Sequence, residues 1–173
     1  MHQKSITSPF TLHLIILLLL TACGYRFVGR ENLSGVSSVA IPVFLNQTLR
    51  GGIENIITNA IREEFIRSKR IRLVSEKEAE AILDGAVTSF SETPVSLTPE
   101  GLVLEARATV VLSATLKRRS DGQALWSSAN ISFSEEYRAD SDVAVNEKRR
   151  EEAIRRIAQE LAKRVHNGIL VKF

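Results

Sequence analysis

Cysteine is almost absent from this chain: Cys23 is the only one in 173 residues. A single thiol closes no internal disulfide, so a disulfide framework is excluded, and so is a cysteine-built metal site. Histidine is scarce too, at three residues, His2, His13 and His166. No Ser-x-x-Lys, Gly-x-Ser-x-Gly or Gly-rich phosphate loop is present, which removes the common nucleophile and phosphate-cradle motifs. Long apolar runs are also missing. The most apolar stretch, Leu12 to Leu20, is interrupted by His13 and falls far short of the ~20 residues a bilayer span needs. The formal charge of +3 is mildly basic and names no partner.

What is there begins with that short run. Ahead of it stands one lysine, Lys4, and no acid; behind it come Thr21 and Ala22. A basic leader, a short apolar core and a small-residue end describe a bacterial secretory signal. Leu20-Thr21-Ala22-Cys23 fits the bacterial lipobox, in which the thiol receives diacylglycerol and cleavage leaves the cysteine as residue one. Residues 1–22 are thus expected to be removed. Cys23 is expected to carry S-diacylglycerol and an N-acyl chain. One acyl chain holds a protein only marginally, whereas two or three anchor it firmly, so the chain is tethered to a membrane without spanning it. Gly24 stands where an aspartate would favour retention at the inner membrane, so the expected location is the outer membrane, facing the periplasm.

Residues 23–38 read as the lipidated N-terminus and a Gly/Ser-rich tether, and 39–173 as one domain. VAIPVFLN (39–46) reads as a strand, with Pro42 at an edge or bulge because proline cannot donate to a ladder. After Gly51-Gly52, residues 53–68 space Ile53, Ile56, Ile57, Ala60, Ile61 and Phe65 as one helical stripe. IRLV (71–74) and 80–92 read as strands, and 93–101, with two prolines and a glycine, as a loop. Residues 102–117 alternate strictly, with Leu102, Leu104, Ala106, Ala108, Val110 and Leu112 on one face. Asp121-Gly122 turns the chain into a return strand over 123–137, expected to place Leu125, Ala129, Ile131, Phe133 and Tyr137 together and Trp126 opposite. A last helix starts at the N-capping run Asp140-Ser141-Asp142 and is expected to stop at Gly168. Residues 146–152 within it are polar all round and project into solvent or meet a polar surface. His166, near its end, reads as a complement to the helix dipole. Strand, helix, strands, long hairpin and helix make an α+β two-layer sandwich, its helices covering one sheet face.

Three basic groups stand out: Arg67/Lys69/Arg70/Arg72, Lys117/Arg118/Arg119, and Lys148/Arg149/Arg150 with Arg155/Arg156 on the last helix. Each is either solvated surface or a set of charge-assisted donors to an anion. The hairpin triplet is the better anion candidate, because its close acid is Asp121 alone. The strand residues Thr109, Ser113, Thr115, Ser128, Asn130, Ser132 and Ser134 form a hydroxyl-rich face. It is either the wet side of a sheet or a surface that docks on a polar wall. No nucleic-acid partner is expected for a protein anchored outside the cytoplasm.

LTACGYRFVG, IPVFLNQT with IEN, EAEAILDGAVTSF, the hairpin ending ALWSS and the polar-to-amphipathic last helix together resemble the LptE family of lipopolysaccharide-assembly lipoproteins. The resemblance implies two helices packed on one face of a mostly antiparallel four-stranded sheet. It implies a non-catalytic protein that plugs and helps assemble the LptD-type outer-membrane barrel and binds lipopolysaccharide on its way to the outer leaflet. No cofactor or metal is implied beyond the lipid on Cys23. Enteric members use basic residues in the loop after the second main strand and near the start of the last helix. That loop, TPVSLTPEG, has no basic residue here. The lipopolysaccharide-binding candidates are therefore Arg118, Arg119, Lys148 and Arg149. Asn46 reads as a strand-end turn residue. The competing reading is an outer-membrane lipoprotein that activates a periplasmic cell-wall synthase.

Overall fold

The computed structural model describes residues 36–171. The expected signal peptide and lipidated Cys23 lie outside them. The elements are β1 (Ser38–Ala40), β2 (Leu45–Asn46), α1 (Ile53–Ser68), β3 (Arg72–Leu73), β4 (Ala81–Leu97), β5 (Val103–Arg118), β6 (Ala124–Arg138) and α2 (Val143–Val171). They form an α+β sandwich, with both helices packed on a mostly antiparallel sheet. The sheet has six strands rather than four, in the order β3-β1-β4-β5-β6, with β2 also on β4. β4, β5 and β6 make a long antiparallel meander, and the short strands add a parallel margin along the first part of β4.

Pro42 explains why that margin is broken. β1 pairs with Ala81–Ile82 and β2 with Ala86–Val87, leaving residues 41–44 out of the ladder. The backbone groups freed there find partners on α1. Arg62 donates Nε and Nη2 to Ile41 O at 2.9 and 2.6 Å, and Phe44 N donates to the hydroxyl of buried Thr58 at 3.0 Å. An interruption that would otherwise strand polar groups in the interior thus fixes the helix against the strand. The Phe44 ring lies over Gly85, where a Cβ would come within 2.1 Å of it.

The core follows the two periodicities. Ile53, Ile57, Ile61 and Phe65 of α1 and Ile154, Ile157, Leu161 and Val165 of α2 are all fully buried. They meet Ala108, Val110, Leu112, Ala114 and Leu116, the inward set of β5. Each large side chain removed from water contributes about 1.5–3 kcal/mol, which is why two marginal amphipathic helices hold firmly here.

β6 departs from strict alternation. Leu112 pairs with Ile131 but Ala114 pairs with Ser128, so two residues, Ala129 and Asn130, oppose one. This bulge reverses the facing of everything before it. Trp126 turns inward, 8% exposed, and Ala129 is exposed, the opposite of the period-two expectation. Trp126 then lies on α2 at Gly168, where a Cβ would sit 3.0 Å from its ring. Gly168 is therefore a point of close approach inside the helix, which continues to Val171 rather than stopping there.

His166 is buried, not a dipole complement. Its ring meets Phe65 edge-on at 5.1 Å, at the seam of the two helices. Burial holds its imidazole below the ordinary value, so it is neutral near pH 7.

β4 also runs further than expected, through Thr93–Leu97. Beyond Val87 it has no partner on its outer side, so the missing N–H of Pro94 costs no ladder bond. The β4–β5 hairpin outruns the helices. α2 is capped by Asp142, whose Oδ1 accepts from Ala144 N and Val145 N at 2.8 and 3.1 Å. Leu102 and Leu104, aligned with the core by period, extend past this start and are exposed.

Candidate functional site

Both helices lie on one side of the sheet, and among the described residues the other side is bare. That bare face has a simple charge layout. Arg107 pairs with Glu136 at 2.6 Å toward one end and Lys117 with Asp84 at 3.2 Å toward the other. Between these two pairs the outward residues are Ser, Thr, Asn, Ala and Val. Thr109 and Ser134 hydrogen-bond across strands at 2.9 Å, and Thr115 and Ser127 at 3.0 Å. Ser127 takes the place expected for Ser128 because the bulge intervenes. The hydroxyls partly satisfy one another, so the face is polar without carrying charge.

The projecting hairpin end is different in kind. Val95, Leu97, Leu102, Val103 and Leu104 are all exposed on it. Beneath it opens a cleft of about 540 Å³ against the start of α2, with Pro94, Leu102, Val103 and Ala106 on its apolar side. Tyr137, Asn146 and Arg150 form its polar side. Arg150 bridges the elements here: Nε reaches Glu92 at 2.7 Å and Nη1 reaches Glu147 at 2.5 Å. Tyr137 donates its hydroxyl to the same Glu92, and Arg50 joins Glu147. The bond to Glu92 leads the effects that raise the Arg150 value. The bond from Arg50 leads those that lower Glu147, and burial raises Tyr137. One side of the polar first half of α2, through Glu147 and Arg150, thus meets a polar network, while Lys148 and Glu152 stay exposed.

The four candidate cations fall at opposite ends. Glu105 pairs with Arg138 and Ala81 with Arg118, and the intervening length of β5 is about 40 Å. Lys148 and Arg149 belong to the hairpin end. Lys148 is exposed, whereas Arg149 donates to Arg138 O and Ala139 O and pairs with Asp140 at 3.0 Å. Arg118 and Arg119 belong to the other end. Arg118 Nη1 binds Asp121 and Gln123 at 2.9 and 2.7 Å, and Arg119 Nε donates to Ala79 O at 2.7 Å. Glu92, Tyr137 and Arg150 were missed as a group. They lie 45 or more residues apart from Glu92 onward, and only strand register brings them together. Asn46 organises its turn as expected. Its Oδ1 accepts from Thr48 N at 2.9 Å and its Nδ2 donates to Arg50 O and Glu54 Oε2 at 2.8 Å. Among the described residues no group of acids and histidines is arranged to hold a metal ion.

Fold and surfaces together define a small two-layer α+β domain with one helix-covered sheet face and one bare, hydroxyl-lined face. The family model LptE, lipopolysaccharide-assembly, matches residues 36–169, and the chain belongs to that family. The family is a non-enzymatic component of lipopolysaccharide transport, in agreement with the sequence reading. Comparison with curated protein sequences gives no match. Among solved structures, a protein of Caulobacter crescentus CB15 superposes with a TM-score of 0.59 at 12% identity, covering 82% of this chain and 95% of that one. Rare lipoprotein B from Shewanella oneidensis gives 0.53 at 15% identity, over 76% of this chain and 94% of its own. A minor lipoprotein from Acinetobacter baumannii gives 0.51 at 12% identity, over 78% and 91%. At such identities the likeness is one of fold.

Proposed function

We propose that this chain is an outer-membrane lipoprotein, anchored through Cys23, that seats inside an LptD-type barrel as a plug. In that seat it helps the barrel assemble and contacts lipopolysaccharide in transit. The observation that carries the reading is the bare sheet face. A barrel lumen is a polar wall, and a face of mutually bonded hydroxyls without charge meets such a wall at little desolvation cost. An ordinary wet sheet face, free of any partner, has no reason to exclude Lys and Glu from its centre.

The glycolipid contact belongs at the hairpin end. An amphiphilic anion needs an apolar surface beside a cation. Leu102 and Val103 line the cleft, Arg150 there is already paired with Glu92 and Glu147, and exposed Lys148 is the cation offered on the same stretch of α2. Arg149 supports that end by holding the last residues of β6. The test is photo-crosslinking in the native membrane from Ser91 and Ser132, both exposed on the bare face. Adducts with a large barrel are expected from both. Recovery of a cell-wall synthase instead, or of no adduct, contradicts the reading. In the same preparation Lys148→Ala is expected to lower the lipopolysaccharide retained.

A further inference from the structure

Six cations converge at the end of the domain where the chain enters it. Lys69, Arg70 and Arg72 follow α1, and Lys117, Arg118 and Arg119 close β5. Arg72 is opposite Ser38 on β1, and Arg118 is opposite Ala81 on β4, so strand register brings the two groups to one level. Direct bonds confirm the convergence. Arg72 N donates to Ser37 O at 3.0 Å, and Arg119 N donates to Glu80 O at 2.9 Å. Glu80 in turn accepts from Ser37 N at 2.6 Å. Ser37, the second described residue, therefore sits beside Arg72 and, through Glu80, on the Arg119 side of the sheet.

The acids at this end are hydrogen-bonded or paired and stay ionised, so they offset part of the positive charge. The Ser37 amide leads the contacts that hold the Glu80 carboxyl below its ordinary value. The Gln123 amide and Arg118 do the same for Asp121. Asp84 is paired with Lys117, and Glu78 accepts the Ser75 hydroxyl at 2.9 Å. Lys69, Arg70, Arg72 and Arg119 remain exposed, and the six cations outnumber Glu78, Glu80, Asp84 and Asp121 by two, with neighbouring Lys77 and Glu76 cancelling.

We propose that this end is a membrane-facing surface that binds the anionic phospholipid headgroups of the leaflet holding the anchor. The proposal rests on the reading of Cys23 as the lipidated residue. The stretch from Cys23 to Val36 reaches at most roughly 45 Å when fully extended, and any path shorter than that brings the surface around Val36 nearer the bilayer than the far end. The far hairpin, about 40 Å along β5, faces away. Each Lys or Arg near an anionic leaflet adds about fivefold in surface affinity, an attraction that salt screens. The contact orients the domain, so that the hairpin end points along the membrane normal instead of lying on the lipid.

The test uses the acylated, full mature protein in vesicles. Cys23 has spent its thiol on lipid, so Ser120→Cys, on the β5–β6 turn, offers one site for an environment-sensitive fluorophore. A quencher on the lipid headgroups is expected to act more strongly in phosphatidylglycerol-containing vesicles than in phosphatidylcholine, and the difference is expected to vanish in high salt. A fluorophore at Glu100→Cys, on the opposite hairpin turn, is expected to show no such dependence. K69E/R70E, both exposed, is expected to weaken the phosphatidylglycerol effect roughly tenfold or more. Equal quenching at residue 120 in both lipids, or the same response at residue 100, overturns the proposal. Mass analysis of the N-terminal peptide reports acylation separately. If Cys23 carries no lipid, the anchor reading fails, while sedimentation of the same protein with the two kinds of vesicle still decides the surface.

Discussion

Gly85 stands in the middle of β4, where a glycine normally weakens a strand. Its reason is the Phe44 ring, which occupies the space a Cβ would take and is itself only 2% exposed. A ring closed in on all sides has nowhere to move. Gly85→Ala is expected to lower stability by about 2–3 kcal/mol, read as a shift of the denaturation midpoint, with the larger part recovered in a Phe44→Leu background. Asn46 shows the same economy in a turn, where one amide serves backbone and side-chain partners of Thr48, Arg50 and Glu54. The role of Asn46 was legible from its place after a strand. The reason for Gly85 was not, because the sequence shows a glycine in a strand without showing which ring lies over it. Trp126 was misplaced for a similar reason. Its facing depends on one extra residue in β6, and Ala129-Asn130 carries no local mark of a bulge.

The helices and strands were largely readable because their periods are clean. α1 matches its expected span, and the alternation of β5 places its buried set correctly from Ala106 onward. What failed at this scale lay at the ends. The hairpin runs past its helices, and α2 runs past Gly168, since packing partners and not composition decide where an element stops. The seam between α1 and α2, its outer rim lined by Glu63, Glu64, Arg67 and Lys163, buries the titratable side chain of His166, edge-on to Phe65. Its Nε2 has no hydrogen-bond partner among the described residues. Burial lowers its value in the folded state, so the unfolded chain takes up the proton more readily. Stability is then full above the unfolded value of about 6.5 and is lost as pH falls below it. A thermal unfolding series from pH 8 to 5.5 is expected to show a falling midpoint, and His166→Phe is expected to remove most of that slope. A midpoint indifferent to pH over this range in the parent chain contradicts the account of the seam.

At the scale of the whole described domain the design is a two-faced sheet with two distinct ends. One face is sealed by helices, and the other is bare, hydroxyl-lined and bounded by the Arg107–Glu136 and Lys117–Asp84 pairs. One end carries the cations around the chain's entry, and the other carries exposed aliphatics above a cleft. The hydroxyl pattern was visible in the sequence as alternating Ser and Thr. The separation of Arg118 and Arg119 from Lys148 and Arg149 was not, because it depends on β5 running the full length of the domain. The central claim is that the bare face seats against a barrel wall. The most direct measurement is the amount of barrel that co-purifies, per chain, with Ser91→Lys/Ser132→Lys, which places two cations on that face while leaving the core untouched. The account predicts a large loss of barrel from a protein whose circular dichroism and unfolding midpoint match the parent. An unchanged ratio of barrel to chain would contradict it.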